Sequence, residues 1–309
     1  MTLVSIIITC FNSQETIERT IKSALNQDWD KKEIIIVDDF STDSSFEILS
    51  RICLRNKEIT LLRNKYNMGY PASLNRGIKQ SKGEFIAIFD DDDDNLKNRI
   101  SLQVKKIIAC EEKYNQPLIL CYSNREIFKQ GSIKCDDIAL AIGRKPPEPY
   151  GEEVAEFLFG LPVNPLKTWG MFGSCTLMTR KNTFDKVGLF DESFRRTAEW
   201  DFAVRSGFQG AYFVAVNKSL IKMYKTSGSE KSGKIPLLYS LKLREKYKNY
   251  LINKSFYNAS KFIARSNFYF NKKKIMIGSF FRLVALLLSP KLMFNYLQKK
   301  LFKIVRVHK

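Results

Sequence analysis

Between Val4 and Arg125 the chain alternates short apolar runs with segments of helical periodicity, and no other feature constrains the fold as much. The runs Val4–Thr9, Glu33–Val37, Ile59–Leu62, Glu84–Phe89 and Leu118–Tyr122 read as strands. They are almost unbroken in β-branched and apolar residues, the pattern of strands covered on both faces. Between them, Ser13 is placed to cap a helix with Ile17, Ile21 and Leu25 on one face, and Ser41 and Thr42 to cap a second reaching Arg55. Pro71 suits the first turn of a third, reaching Lys79, and Asn98–Tyr114 reads as a long amphipathic helix. Strands regularly separated by helices predict an α/β fold, a Rossmann-like, mostly parallel sheet with helices on both faces.

The later chain is organised differently. Pro146, Pro147 and Pro149, between Gly143 and Gly151, mark a loop. Beyond it Met171–Thr179 reads as a strand, Glu199–Ser206 as a short helix and Ala211–Val216 as a strand. From Ile235 the chain becomes helical and basic, with a break at Pro290. The expected organisation is one α/β domain over 1–234, with halves meeting near residue 125, and a basic helical extension over 235–309.

Charge follows the same division. Of a formal net charge of +19, the segment from Ile235 onward holds +16, as 17 Lys or Arg against Glu245 alone, leaving +3 for the rest. Met293, Leu297, Leu301 and Ile304 would share one helical face, with Lys299, Lys300, Lys303 and Arg306 elsewhere. Such a helix suits an anionic membrane surface, and a helical subdomain with a solvated lysine face is the alternative. Nucleic acid is disfavoured as a partner, because no binding motif accompanies the charge. Ile275–Leu288, interrupted by Arg282, is shorter than the roughly 20 apolar residues of a membrane span. The opening MTLVSIIITCFN lacks a basic n-region and reads as a buried strand, not a signal peptide. Cys10, Cys53, Cys110, Cys121, Cys135 and Cys175 are scattered without a C-x-x-C pair, which argues against zinc and disulfide frameworks. Buried thiols in a reducing compartment are expected, hence a cytoplasmic protein peripheral to the inner face of the membrane.

In open parallel sheets, ligands bind beyond the carboxyl ends of the strands. Here those ends carry Thr9-Cys10-Phe11-Asn12, Asp38-Asp39, Asn67-Met68-Gly69 and the run Asp90 to Asp94. No G-x-G-x-x-G follows the first strand, so a dinucleotide cofactor is poorly supported. Adjacent carboxylates resist joint ionisation. A hard divalent ion, Mn2+ or Mg2+, bound by one or two of them with phosphate oxygens would relieve this. A solvated acidic loop capping the helix that begins near Leu96 is the plainer reading, but the position beside Asp38-Asp39 favours the cation. His308 is the only histidine, which excludes an imidazole ligand in the core.

The strings SIIITCFN, IIIVDDFSTD, NMGYPASLNRG, GEFIAIFDDDDD and LFDESFRRTAEWDFAVR, in that order over roughly residues 3 to 225, resemble the family 2 glycosyltransferases, inverting enzymes of the GT-A fold. The resemblance implies sugar transfer from a nucleotide-diphospho-sugar, with UDP the commonest nucleotide, to a glycan or lipid-linked acceptor in surface polysaccharide synthesis. Thr9 and Phe11 match the loop that packs on the base, where the family more often has tyrosine than Phe11, and Asp39 matches the carboxylate that reads the uracil or ribose edge. Asn67 lies on the same nucleotide-binding rim. Asp90-Asp91-Asp92 matches the D-x-D motif, with Asp92 in the metal ligand's place and Asp91 near the ribose. Arg99 and Gln103 match a structural R-x-x-x-Q. Where the family carries Glu-Asp, this chain has Ala198-Glu199, so Glu199 stands where the catalytic base is expected. Asp201 is the second candidate, although it can instead pair with Arg205 one turn on. The departure at Ala198 leaves an inert scaffold as the alternative function. A nucleotidyltransferase fits less well, since Cys10-Phe11-Asn12-Ser13 is no phosphate loop. The Q-x-x-R-W motif of processive synthases is missing.

Overall fold

A computed structural model describes residues 2–129, 132–225 and 233–292. Strands β1 (Val4–Cys10), β2 (Lys32–Asp38), β3 (Ile59–Arg63) and β4 (Phe85–Asp90) pair in parallel in the order β3-β2-β1-β4. Helices α1 (Ile17–Leu25), α2 (Ser45–Cys53) and α3 (Tyr70–Gln80) make the crossovers. Ile6, Ile7, Ile8, Ile34, Ile35 and Ile36 have no exposed surface, which is why these runs do not alternate. Each such side chain contributes roughly 1.5–3 kcal/mol of burial. Close packing continues at Gly77 of α3, where a Cβ would come within 2.6 Å of Ile7 Cγ2.

The sheet continues beyond β4 with mixed polarity. β5 (Asp94–Asn95) and α4 (Arg99–Tyr114) lead to β6 (Ile119–Phe128) and β7 (Cys135–Ala139). β8 (Met178–Arg180) lies between β4 and β6, antiparallel to both. β9 (Tyr212–Tyr224) runs parallel to β6 and pairs antiparallel with β5, while β7 pairs with β6. α5 (Glu153–Phe159), α6 (Asn182–Val187) and α7 (Ala198–Phe208) complete this stretch.

Three local expectations are corrected. Met171–Thr179 is not one strand, because Ser174–Thr176 forms a 3-10 turn and β8 starts only at Met178. Close backbone approach is the cause: Met171 N donates to Leu140 O at 2.8 Å, and a Cβ on Gly170 would meet the Leu140 and Ala141 carbonyl oxygens at 2.5 Å. Ser13 does not cap α1, whose N-cap is Thr16, since its hydroxyl turns to Asp91. Ser41 and Thr42 likewise precede the N-cap of α2, Ser44, and bond Asn12 across the rim instead.

Packing divides the chain into two compact units, one of Met1–Gly151 with Lys167–Thr226, the other of Glu152–Leu166 with Ser227 onward. The second unit groups α5 with α8 (Ile235–Lys246), α9 (Lys248–Asn253), α10 (Tyr257–Asn271) and α11 (Ile275–Leu288). Inside it, the buried Arg244 donates to Ser260 O and Ser240 O, both at 2.8 Å, and burial pulls its pKa down to about 10. Lys254 reaches Glu152 at 3.3 Å and Glu156 at 3.1 Å. Among the described residues no helix is long and apolar enough to cross a membrane. The tail positions Met293 to Arg306 and His308 lie outside the described residues.

Candidate active site

The acidic run becomes a turn because β4 ends where its apolar residues do. Phe85 to Phe89 are buried, Asp90 is the last strand residue, and Asp94 already belongs to β5. α1 holds the turn from behind: Arg19 Nη2 donates to Asp92 O at 2.5 Å and Thr20 Oγ1 to Asp93 O at 2.8 Å. The carboxylates then separate into different tasks. Asp91 accepts from Phe11 N at 3.1 Å and from the Ser13 hydroxyl, tying the turn to the end of β1; burial above all raises its pKa to about 7. Asp90 accepts from the Tyr70 hydroxyl at 3.0 Å, and Tyr70 in turn lies 2.9 Å from Ser174 Oγ. Asp92 remains half-buried.

Asp93 is the unusual member. It is 1% exposed, and neither carboxylate oxygen has a hydrogen-bond partner. Burial, then Asp90 and Asp92, push its pKa well up, while Arg125 and Arg99 oppose them. Ligand atoms of Asp90, Asp93 and Cys175 lie within 4.8 Å of one another. Arg125 Nη1 donates to Cys175 Sγ at 3.0 Å, yet burial still raises that thiol's pKa, so carboxylates are the available ligands. An unpaired buried carboxylate is costly unless a proton or a cation neutralises it. Oxygen donors of this kind fit Mg2+ or Mn2+.

Arg99 and Gln103 do the structural work expected of them. Arg99 donates from Nη2 to Ile88 O at 2.9 Å and from Nε to Gln103 Oε1 at 2.9 Å. Gln103 Nε2 donates to Cys121 O at 3.0 Å and Thr176 O at 2.9 Å, so one buried pair on α4 fixes β4, β6 and the 3-10 turn together. Tyr70, at the start of α3, reaches Asp90 from within the parallel half, whereas Arg125, Ser174 and Cys175 join the site without any sequence signal, because the antiparallel insertion of β8 brings their segments beside β4.

Beside the turn, the ends of β1, β2 and β3 form the rim. Thr9 is buried in β1 and paired in register with Val37 and Asp90. Phe11 is 46% exposed and Phe40 is 42% exposed, a second aromatic at the rim. Asp39 is 4% exposed and accepts from Asn64 Nδ2 at 2.7 Å and from the backbone N–H groups of Met68 and Gly69 at 2.8 Å. Its carboxylate thereby sets the loop that carries the partly buried Asn67. Arg76 donates to Arg63 O at 2.6 Å and Asn64 Oδ1 at 2.7 Å, a scaffold role.

The two base candidates part company on geometry. Asp201 has no exposed surface and accepts from Arg205 Nε at 2.9 Å, while Arg205 also donates to the carbonyls of Val187 and Leu189. That network ties α7 to the end of α6. Glu199, in the first turn of α7, is half-buried. Burial raises its pKa most, Asp90 raises it further, and its own backbone N–H and Arg196 lower it. Glu199 therefore lies within the field of the acidic turn. Asn75 locks the approach to α7, donating to Phe190 O at 2.8 Å and accepting from Phe190 N at 2.9 Å.

A parallel α/β half, closed by an acidic turn against strands that return from later in the chain, is the GT-A arrangement of the nucleotide-sugar glycosyltransferases. The chain belongs to glycosyl transferase family 2, whose model matches residues 5–180. It is 29% identical over 225 residues to the Escherichia coli UDP-Glc:alpha-D-GlcNAc-diphosphoundecaprenol beta-1,3-glucosyltransferase WfaP, covering 72% of this chain and 77% of that one. It is 25% identical over 259 residues to the amylovoran biosynthesis glycosyltransferase AmsB of Erwinia amylovora, covering 82% and 80%. In fold it is similar to S. aureus TarS 1–349 in complex with UDP-GlcNAc, with a TM-score of 0.59 at 18% identity over 86% of this chain and 73% of that one.

Proposed function

We propose that this glycosyltransferase moves a hexosyl group, with inversion, from a UDP-sugar to a hydroxyl of a lipid-linked saccharide in surface polysaccharide synthesis. The observation that carries the reading is the acidic turn closing β4, where the buried Asp93 carboxylate has no hydrogen-bond partner and lies beside Asp90, with the half-buried Glu199 in the first turn of α7 as the candidate base. The names of WfaP, with its UDP-glucose donor and diphosphoundecaprenol-linked acceptor, and of TarS with UDP-GlcNAc support the substrate classes.

In this reading Thr9 and Phe11 border the nucleotide base, with Phe40 as a second exposed ring at the rim. Asp39 contributes by holding the Asn67 loop, and Asp91 by holding the end of β1 against the turn. Asp92, partly open to solvent in the D-x-D position, is the proposed ligand of Mn2+ or Mg2+, with the Asp90 and Asp93 carboxylates in the same turn as further oxygen donors. A divalent cation held there would supply positive charge opposite the departing diphosphate. Glu199 takes the proton of the acceptor hydroxyl as that oxygen attacks the anomeric carbon from the side opposite the diphosphate. The proton ends on the Glu199 carboxylate, the new glycosidic bond replaces the sugar–phosphate bond, and UDP leaves with the bonding pair. Asp201 keeps α7 in place through Arg205. The six free cysteines agree with work on the cytoplasmic side of the membrane.

The test measures UDP release from a panel of UDP-sugars, with Mn2+ and a detergent-dispersed lipid-linked acceptor, for wild type and Glu199→Gln. Turnover by wild type and its loss in the variant, with UDP binding retained, is expected. UDP binding without turnover across the panel overturns the catalytic reading and leaves a binding scaffold.

A further inference from the structure

Helix α11 presents an apolar face that nothing among the described residues covers. Met276, Phe280, Leu283 and Leu287 are 87%, 60%, 55% and 66% exposed. At 100° per residue they fall within about 60° of arc and run about 16 Å along the helix. The opposite face is the one that packs. A Cβ on Gly278 would meet Phe270 Cδ1 at 2.8 Å, the Ser266 hydroxyl donates to Gly278 O at 2.8 Å, and the Phe281 ring lies 5.5 Å from Tyr269 and 6.0 Å from Phe262. The contacts that anchor the helix to α10 come from Gly278 and Phe281, while the four large side chains of the outer stripe stay more than half exposed, Phe280 meeting the Phe281 ring of the same helix at 5.5 Å.

Charge identifies what covers them. Lys272, Lys273 and Lys274 stand exposed before the first turn of α11, and Lys291 stands exposed just beyond its end. In the described stretch from 233 to 292 the only acid is Glu245, already engaged by Lys248 and the Tyr257 hydroxyl. A second copy docking antiparallel on this stripe would set Lys272–Lys274 against Lys291, like charge against like. An anionic lipid surface meets both requirements at once, with acyl chains for the stripe and headgroups for the flanking cations. At 14 residues α11 is too short to span a bilayer and long enough to lie along its surface.

We infer that α11 is a membrane-docking helix, with Met276, Phe280, Leu283 and Leu287 entering the headgroup boundary of an anionic leaflet and Lys272–Lys274 and Lys291 holding its ends at the surface. This rests on the reading of the acceptor as lipid-linked and specifies the surface that reaches the lipid. The experiment is flotation of the full chain with vesicles of phosphatidylglycerol and phosphatidylcholine in equal parts, and with phosphatidylcholine alone. The variants are Phe280→Ser/Leu283→Ser/Leu287→Ser, on the stripe, and Leu238→Ser, an exposed leucine elsewhere in the same unit. Wild type and Leu238→Ser should float with the anionic vesicles, and the triple variant should lose at least about tenfold in partitioning with unchanged UDP binding and Tm. Equal flotation of wild type and triple variant overturns the inference. So does a wild-type dimer that stays off the vesicles and becomes monomeric in the triple variant, since the stripe is then a contact between copies. UDP release onto the detergent-dispersed acceptor is measured on the same proteins: its failure alongside intact, stripe-dependent flotation counts against the proposed reaction alone.

Discussion

Glu199 sits under two opposed influences, burial with Asp90 on one side and Arg196 with the local backbone on the other. A base must be ionised to accept a proton, and raising its pKa narrows the pH range in which it is. The acid limb of kcat/KM should therefore lie above the ordinary glutamate value of about 4.3, with activity present above the limb and lost as pH falls through it. Arg196 lowers the pKa, so Arg196→Gln should move the limb to higher pH, a shift readable from kcat/KM profiles of the two proteins. Glu199→Gln should reduce kcat by about 10²–10⁴ while calorimetry finds UDP binding intact. Asp201→Ala should instead act on stability. Breaking its buried pair with Arg205 costs about 3 kcal/mol, seen as a lower denaturation midpoint. The sequence offered both acids for one task; separating them required knowing that Arg205 already reaches Val187 and Leu189, a contact between segments that periodicity does not encode.

At the scale of elements, α4 and the 168–176 segment decide whether the acidic turn meets its neighbours. Gln103→Leu removes the donor to Cys121 O and Thr176 O and the acceptor for Arg99 Nε, leaving buried groups unpaired at about 1–3 kcal/mol each. A drop in Tm with a smaller loss of UDP binding is the expected outcome. Gly170→Ala forces a Cβ against two carbonyl oxygens and should cost about 1–3 kcal/mol, measurable by urea unfolding. The parallel half was legible because its residues signal locally: Ile6 to Ile8 and Ile34 to Ile36 are apolar without a break, and Pro71 marks the start of α3. The opposite half was less so. Met171–Thr179 reads as one strand, and only the approach of the 140–143 backbone reveals why the strand is delayed to Met178. In the same way Asp90 to Asp93 were visible as a cluster, but Tyr70, Arg125 and Cys175 come to it from places that no local pattern connects.

For the whole molecule, the uneven charge predicts a salt-sensitive attachment. With the Debye length shrinking from about 10 Å at 0.1 M to about 3 Å at 1 M, flotation on anionic vesicles should weaken steeply with added salt, while UDP binding changes little. The order of strands carries a consequence for biosynthesis. β4 finds its second neighbour only in β8, whose residues Met178 to Arg180 leave the ribosome well after Phe85 to Ala87, with β6 waiting on the same strand. At about 5–20 residues per second, the nascent chain carries an open, strongly apolar strand edge for several seconds. Chaperone protection during translation, and a tendency of fragments ending before Met178 to aggregate, belong to the topology itself.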